Sequence, residues 1–296
     1  MAVVAVCAAT ATAAPSEVEV RIEGRTQTLF EGPVLTEGHA VRARSEAESH
    51  SCDGINPNDP QNTQPGPTPT ASAVDATAIS GGSFDGRWDA SYDDFLVTEW
   101  DGEREAEGNS WSVLVNGTLL TVGGCQYELA EGAQVLWAFG PDKPLLALYP
   151  LGAAEGGASL TAVAQAGVPF VVEVLAHKPA SGSPPARPGR GGFTPDGAAQ
   201  IVPVATAPNG AETPLSEQPL ATTDAAGDAS VTFATPGWHR IKAIAGGALR
   251  SNRIDVCVCA PGEASCGQIP GEDLPRENGV AAAEPPSISC SATSPG

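Results

Sequence analysis

The sequence predicts a mainly β protein with a minor α component: a β-grasp-like module followed by an immunoglobulin-like β-sandwich. Three observations carry this expectation. Apolar and polar residues alternate in short runs, as at Val18, Val20 and Ile22 and again at Ile254, Val256 and Val258; a period of two marks half-buried strands. Gly and Pro, 34 and 27 of 296 residues, break these runs with turns. One segment, 70–80, reads as a helix.

Residues 1–14 are expected to be a secretory signal peptide. A short apolar run leads to small residues with an A-x-A pattern at Ala11, Thr12 and Ala13. No basic residue precedes the run, which fits a true start further upstream. The first module is assigned to 15–150. Val18, Val20 and Ile22 define one face of its first strand, and Glu17, Glu19, Arg21 and Glu23 the other. Gly24 and Arg25 turn the chain into a partner strand over 27–34. A polar loop over 45–69 is pinned by Cys52. In the helix that follows, Ser72 is the expected cap, Asp75 lies in the first turn, and Val74, Ala78 and Ile79 supply the apolar face; Gly81 and Gly82 end it. Trp111, Val113 and Val115 belong to a strand closed by Asn116-Gly117, a strong hairpin signal, with a return over 118–122. Val135, Trp137 and Phe139 line the last strand. Hairpin, helix, then strands is the order of a sheet with one helix packed across it.

The second module, 151–259, alternates at Phe170, Val172, Val174 and Ala176, at Val231 and Phe233 after a turn over 224–227, and at His239, Ile241, Ala243 and Ala245. Recurrent strands without a helix pattern suit a small sandwich. The Pro, Gly and Ser of 179–197 are expected to form a long flexible loop, with Arg187, Arg190 and nearby Arg240 as solvated charges. Residues 260–296 read as a disordered, cysteine-containing tail.

The net charge of −20, from 35 acids against 15 bases, repels phosphate backbones and anionic membrane surfaces, so nucleic acid is excluded as a partner. No stretch reaches the ~18 apolar residues a transmembrane segment needs. With Cys7 removed in the signal, six cysteines remain, and an even number behind an export signal reads as disulfides in an extracellular setting. Cys52 with Cys125 is the preferred first bridge. Strand alternation turns Cys257 and Cys259 to the same outer face, so they are not expected to bond each other. Cys257 with Cys266 closes a small loop and leaves Cys259 for Cys290; the swapped pairing is nearly as good. A zinc knuckle is disfavoured because a single residue separates Cys257 from Cys259.

Trp111-x-x-x-Val115-Asn116-Gly117, then Gly123-Gly124-Cys125, then Gly132-x-x-Val135-Leu136-Trp137-Ala138 resembles the transcobalamin-like C-terminal domain family over about 16–150. Phe30-Glu31-Gly32-Pro33-Val34, His50-Ser51-Cys52-Asp53-Gly54 and Asp93-Asp94-Phe95-Leu96-Val97 are similar to the version found in secreted actinobacterial proteins. In those an immunoglobulin-like segment ends as Ser251-Asn252-Arg253-Ile254-Asp255-Val256-Cys257 does here. The resemblance implies a β-grasp fold and a binding role, with an accessory binder of cobalamin or a similar small molecule as the alternative. It transfers no cobalt ligand.

Phe84, Trp88, Tyr92, Phe95, Trp100 and Trp111 crowd one segment with interspersed acids. Trp88, Tyr92, Phe95, Trp100 and Trp111 are therefore the ligand-binding candidates, as a stacking surface for a planar ligand or sugar; the competing reading packs these rings onto the sheet. The acids over 93–107 lack a calcium-loop pattern and read as a solvated face. His39, His50, His177 and His239 form no H-E-x-x-H, and Gly81-Gly82-Ser83-Phe84-Asp85 lacks the last glycine of a nucleophile elbow. No cofactor or metal motif is present. The expected function is a secreted, non-enzymatic binding or surface-display protein whose partner is a small molecule, glycan or protein. A hydrolase with a dispersed acidic site is the remaining alternative.

Overall fold

The computed structural model describes residues 15–56, 62, 64–106, 109–140, 143–151, 161–185, 192–207, 210–215, 218–263, 265–266 and 290. The expected signal segment 1–14, Arg187, Arg190 and most of the 260–296 tail lie outside the described residues.

The protein is mainly β. In chain order the first elements are β1 (Ser16–Glu23), β2 (Thr28–Thr36), β3 (His39–Val41), β4 (His50–Cys52), α1 (Pro69–Ser80), β5 (Phe84–Asp89), β6 (Asp94–Trp100), β7 (Glu103–Arg104), β8 (Trp111–Val115), β9 (Thr118–Leu119) and β10 (Gln134–Phe139). There follow β11 (Leu145–Pro150), β12 (Thr161–Gln165), β13 (Pro169–His177), β14 (Thr194–Pro195), β15 (Gln200–Thr206), β16 (Glu212–Pro214), β17 (Ala221–Thr222), β18 (Asp228–Thr232), β19 (Gly237–Ile244) and β20 (Ile254–Cys259).

One long sheet runs β12-β20-β19-β15-β16-β2-β1-β10-β8-β9, with β17 beside β15. It therefore crosses from the C-terminal half into the N-terminal half, joined where Glu212 of β16 pairs with Thr28 of β2. β1 pairs antiparallel with β2 and parallel with β10. A second sheet holds β11, β13, β14 and β18, and small sheets hold β3-β4 and β5-β6-β7. Asn116 and Gly117 both have positive φ, 49° and 80°, as the two-residue turn between β8 and β9 demands. The return strand is shorter than expected, Thr118–Leu119.

Helix α1 packs across β1 and β2. Its cap is Thr68, not Ser72: the Thr68 hydroxyl accepts from the Ala71 amide, Pro69 occupies the first turn, and Ser72 Oγ, inside the helix, donates to the Pro69 carbonyl. Its buried face is made of small residues, Ala71, Ala73, Ala76 and Thr77, while Ala78 faces solvent. Small side chains let the helix lie close on the sheet. Gly81, at φ 68°, ends it as expected.

Two cores lie on this frame. Val18, Val20, Ile22, Val113, Val135, Trp137 and Phe139 form the N-terminal one beneath α1. Val172, Val174, Val231, Ile241, Ile254, Val256 and Val258 form the C-terminal one. A third, smaller cluster, Leu114, Leu136, Ala138, Leu145 and Leu249, covers the other face of β8 and β10. The described parts of 179–197, expected to be a flexible loop, are anchored instead. Leu175 and Ala176 pair with Pro195 and Thr194, the Leu119 amide donates to the Ala180 carbonyl, and Asn116 donates to the Pro185 carbonyl.

The polar face of β1 departs furthest from expectation. Glu23 is fully buried, and the Arg21 side chain is nearly so. Lys242, itself 1% exposed, meets Glu23, Glu31 and Glu212 at 3.1, 2.6 and 2.9 Å. Arg253 pairs with Glu212 at 2.6 Å and Asp255 at 2.9 Å, and Arg250 with Glu23 at 2.7 Å. Arg240 is no solvated charge: it pairs with Asp255 at 3.1 Å. Burial raises the Glu23 carboxyl, but Lys242, Arg250 and Arg21 outweigh it and hold it below the usual range. Buried charges persist only when paired in this way.

Candidate binding surface

Three chain segments converge where Cys52 is bridged to Cys125. They are the end of β4, the loop around Gly123-Gly124-Cys125, and the tip of the β5–β6 hairpin. The Gly54 amide donates to the Cys125 carbonyl at 3.0 Å, and the Thr70 amide to the Gly124 carbonyl at 3.2 Å, which ties α1 into the same knot. Gln126 donates to the Tyr92 carbonyl, holding the hairpin tip down.

Asp94 is the pin. Its Oδ1 accepts from the Phe95 amide at 2.7 Å and from the Cys125 amide at 3.1 Å. Gly123 must be glycine, because a Cβ there would collide with this carboxylate. Burial raises the Asp94 carboxyl to about 6, against the backbone donors of Phe95, Cys125 and Gly124 that favour its charge. Asp93, at φ 52°, bends the chain so that Asp94 can turn inward. The expectation that the acids over 93–107 are a solvated face fails at two positions. Asp94 is buried, and Glu99, 2% exposed, binds Arg44 at 2.8 Å and Arg104 at 2.6 Å.

The five candidate aromatics separate into two groups. Trp100 is fully buried between Phe84 and Trp137, 4.8 and 5.3 Å away between ring centres. Trp111 packs edge-on to Phe139 and donates to the Glu103 carbonyl, and Phe95 is enclosed by Phe84 and Trp88. Those three rings are core, and their faces are spent on neighbouring side chains. Trp88 is half-buried and stacked on His50 at 4.3 Å with 7° between the planes. Tyr92, 70% exposed at the hairpin tip, and Leu96, 47% exposed, stand free of the core. Exposed Asp89 and Asp93 flank Tyr92.

His39 lies apart from this surface. Its Nε2 meets Asp75 at 3.1 Å and its Nδ1 meets the Ala40 carbonyl at 3.1 Å, while Thr36 donates to Asp75. Both ring nitrogens are thus engaged, and Asp75 ties α1 to β2 through Thr36 and to β3 through His39.

The remaining four cysteines gather at the other end of the long sheet. Cys257 is bridged to Cys266, and Cys259 to Cys290. Cys257 and Cys259 share a face of β20, opposite to Val256 and Val258, yet both are buried. Among the described residues no helix is long and apolar enough to cross a membrane.

Sequence reasoning missed Asp94 and the Lys242 seam. A carboxylate two residues from the expected stacking ring Tyr92, opposite a Gly-Gly pair, was the available signal for the first. The second leaves none, because its members come from six strands or loops distant in sequence. No protein-family model matches the chain, and no curated protein is found similar to it.

Proposed function

We propose that the chain is an extracellular, non-enzymatic binding or display protein whose recognition surface is the tip of the β5–β6 hairpin. In this reading the N-terminal module is β-grasp-like and the immunoglobulin-like segment is its spacer. The observation that carries it is Tyr92: a ring 70% exposed on a tip that Asp94, Gln126 and the Cys52–Cys125 bridge hold in place. A pre-organised aromatic loses little freedom when it binds. The flanking carboxylates of Asp89 and Asp93 suit hydroxyl donors, so a glycan ring is the ligand class that fits best. Three disulfides are compatible with an oxidising, extracellular setting.

The test is a thermal-shift screen of the oxidised full chain against glycans, corrinoids and divalent cations. Binding to the native state raises the melting temperature. A glycan shift that disappears in Tyr92→Ala supports the reading. A shift that survives both Tyr92→Ala and Trp88→Ala places recognition elsewhere, and turnover of a glycan defeats the non-enzymatic part. A corrinoid shift would favour the accessory-binder alternative that the transcobalamin-like resemblance implies.

A further inference from the structure

The sulfurs of Cys257, Cys259, Cys266 and Cys290 all lie within 4.8 Å of one another. Between the bridges, Cys257 Sγ is 3.8 Å from Cys259 Sγ and 3.9 Å from Cys290 Sγ. A tetrahedral zinc tetrathiolate, with Zn–S of about 2.3 Å, places its sulfurs about 3.8 Å apart. Two of the four unbonded pairs already have that spacing. Opening the two bonded pairs is the main change required.

The fold supplies the rest. Cys257 and Cys259 come from one rigid strand that pairs with β19 on one side and β12 on the other. That sets two ligands without loop entropy.

We propose that Cys257, Cys259, Cys266 and Cys290 form a Zn2+ site in the reduced chain, alternative to the two disulfides. Each bridge takes up two electrons and two protons from one dithiol, which becomes a disulfide. The four thiols then bind one Zn2+ and release four protons. Thiolate, not thiol, is the ligand, so metal and protons compete. The oxidised chain is the binding protein; the reduced chain, before bridge formation or under thiol stress, is the metal-bound one.

The experiment uses the full chain reduced with dithiothreitol under argon, freed of reductant and titrated with Co2+, then Zn2+. Expected are one Co2+ per chain with the intense visible bands of a tetrahedral tetrathiolate, displaced stoichiometrically by Zn2+. Cys259→Ser/Cys290→Ser should lose those bands and Cys52→Ser/Cys125→Ser should keep them. A reduced chain that unfolds without metal remains a fair test, because metal binding drives folding of such sites. Absence of the bands, or their persistence in Cys259→Ser/Cys290→Ser, overturns the proposal. Neither result bears on the Tyr92 surface, which is tested in the oxidised protein.

Discussion

Lys242 Nζ lies 3.1 Å from Glu23 Oε1, although the two residues are 219 positions apart in the chain. The contact joins the first strand to one near the C-terminus, and Arg250 reaches the same carboxylate across 227 positions. Charge neutralisation there is mutual. Burial lowers the Lys242 ammonium, but Glu212, Glu23 and Glu31 outweigh it and hold it above its usual range.

Lys242→Met strands three carboxylates without their ammonium. Removing one partner of a buried ion pair costs about 3–5 kcal/mol. Urea unfolding followed by tryptophan fluorescence should show a loss of that order. Lys242→Met combined with Glu31→Gln should recover part of it, since Glu23 and Glu212 keep Arg250 and Arg253 as partners.

Glu19 sets a pH dependence of opposite sign to that of the seam. Burial, then repulsion from Glu31, raises its carboxyl from 4.5 to about 7, with Arg253 opposing; Oε2 has no hydrogen-bond donor among the described residues. The folded chain holds this proton where the unfolded chain has released it. Its contribution is full below 4.5 and is lost as pH rises through about 7. Glu23 and Glu31, held low, contribute above their unfolded value and lose it as pH falls. Glu19→Gln should therefore be more stable relative to wild type above that window than below it. Urea midpoints on either side of it measure the difference.

His39 should titrate above its ordinary value. The hydrogen bond its ring donates to Asp75 raises it, burial opposes this, and the Asp75 charge adds to the rise. Its stabilisation of the α1 contact is complete below the unfolded value and disappears as pH passes the folded one. Asp75→Asn should bring the His39 titration down, read by NMR of the ring nitrogens, and should flatten stability across that range.

Gly123→Ala and Tyr92→Ala separate the pin from the surface. The alanine methyl at 123 meets the Asp94 carboxylate, and relief requires moving either the hairpin or the disulfide loop. A loss of roughly 1–3 kcal/mol is expected, in the range of over-packed buried sites. Tyr92 is exposed, so its truncation should stay within about 0.5 kcal/mol. Paired urea curves decide this; equal losses would mean that Tyr92 is part of the core.

Much of the β framework was legible because period-two patterns report burial directly. Val18, Val20 and Ile22 point into one core, and Ile254, Val256 and Val258 into another, where alternation placed them. Asn116-Gly117 marked its turn for the same local reason. What alternation cannot report is a second layer over the polar face. Arg21, Glu23 and Arg240 read as solvent-facing because charge signals exposure until long-range partners are known. The helix cap was misplaced by four residues because Thr68 and Ser72 are both good acceptors, and the choice between them is made by Pro69, which suits the first turn. Of the candidate aromatics, Trp100 and Trp111 could not be told from Tyr92 by residue type. Their inward direction follows from strand register, which a cluster with irregular spacing does not disclose.

Mass-spectrometric disulfide mapping of the native, unreduced chain recovered from the medium of expressing cells is the most direct check on the oxidised, covalently pinned scaffold. Cys52 linked to Cys125, Cys257 to Cys266 and Cys259 to Cys290, with no free thiol among these six, is the predicted result. Cys52 and Cys125 both reactive as free thiols in a folded chain that stays inside the cell would contradict it.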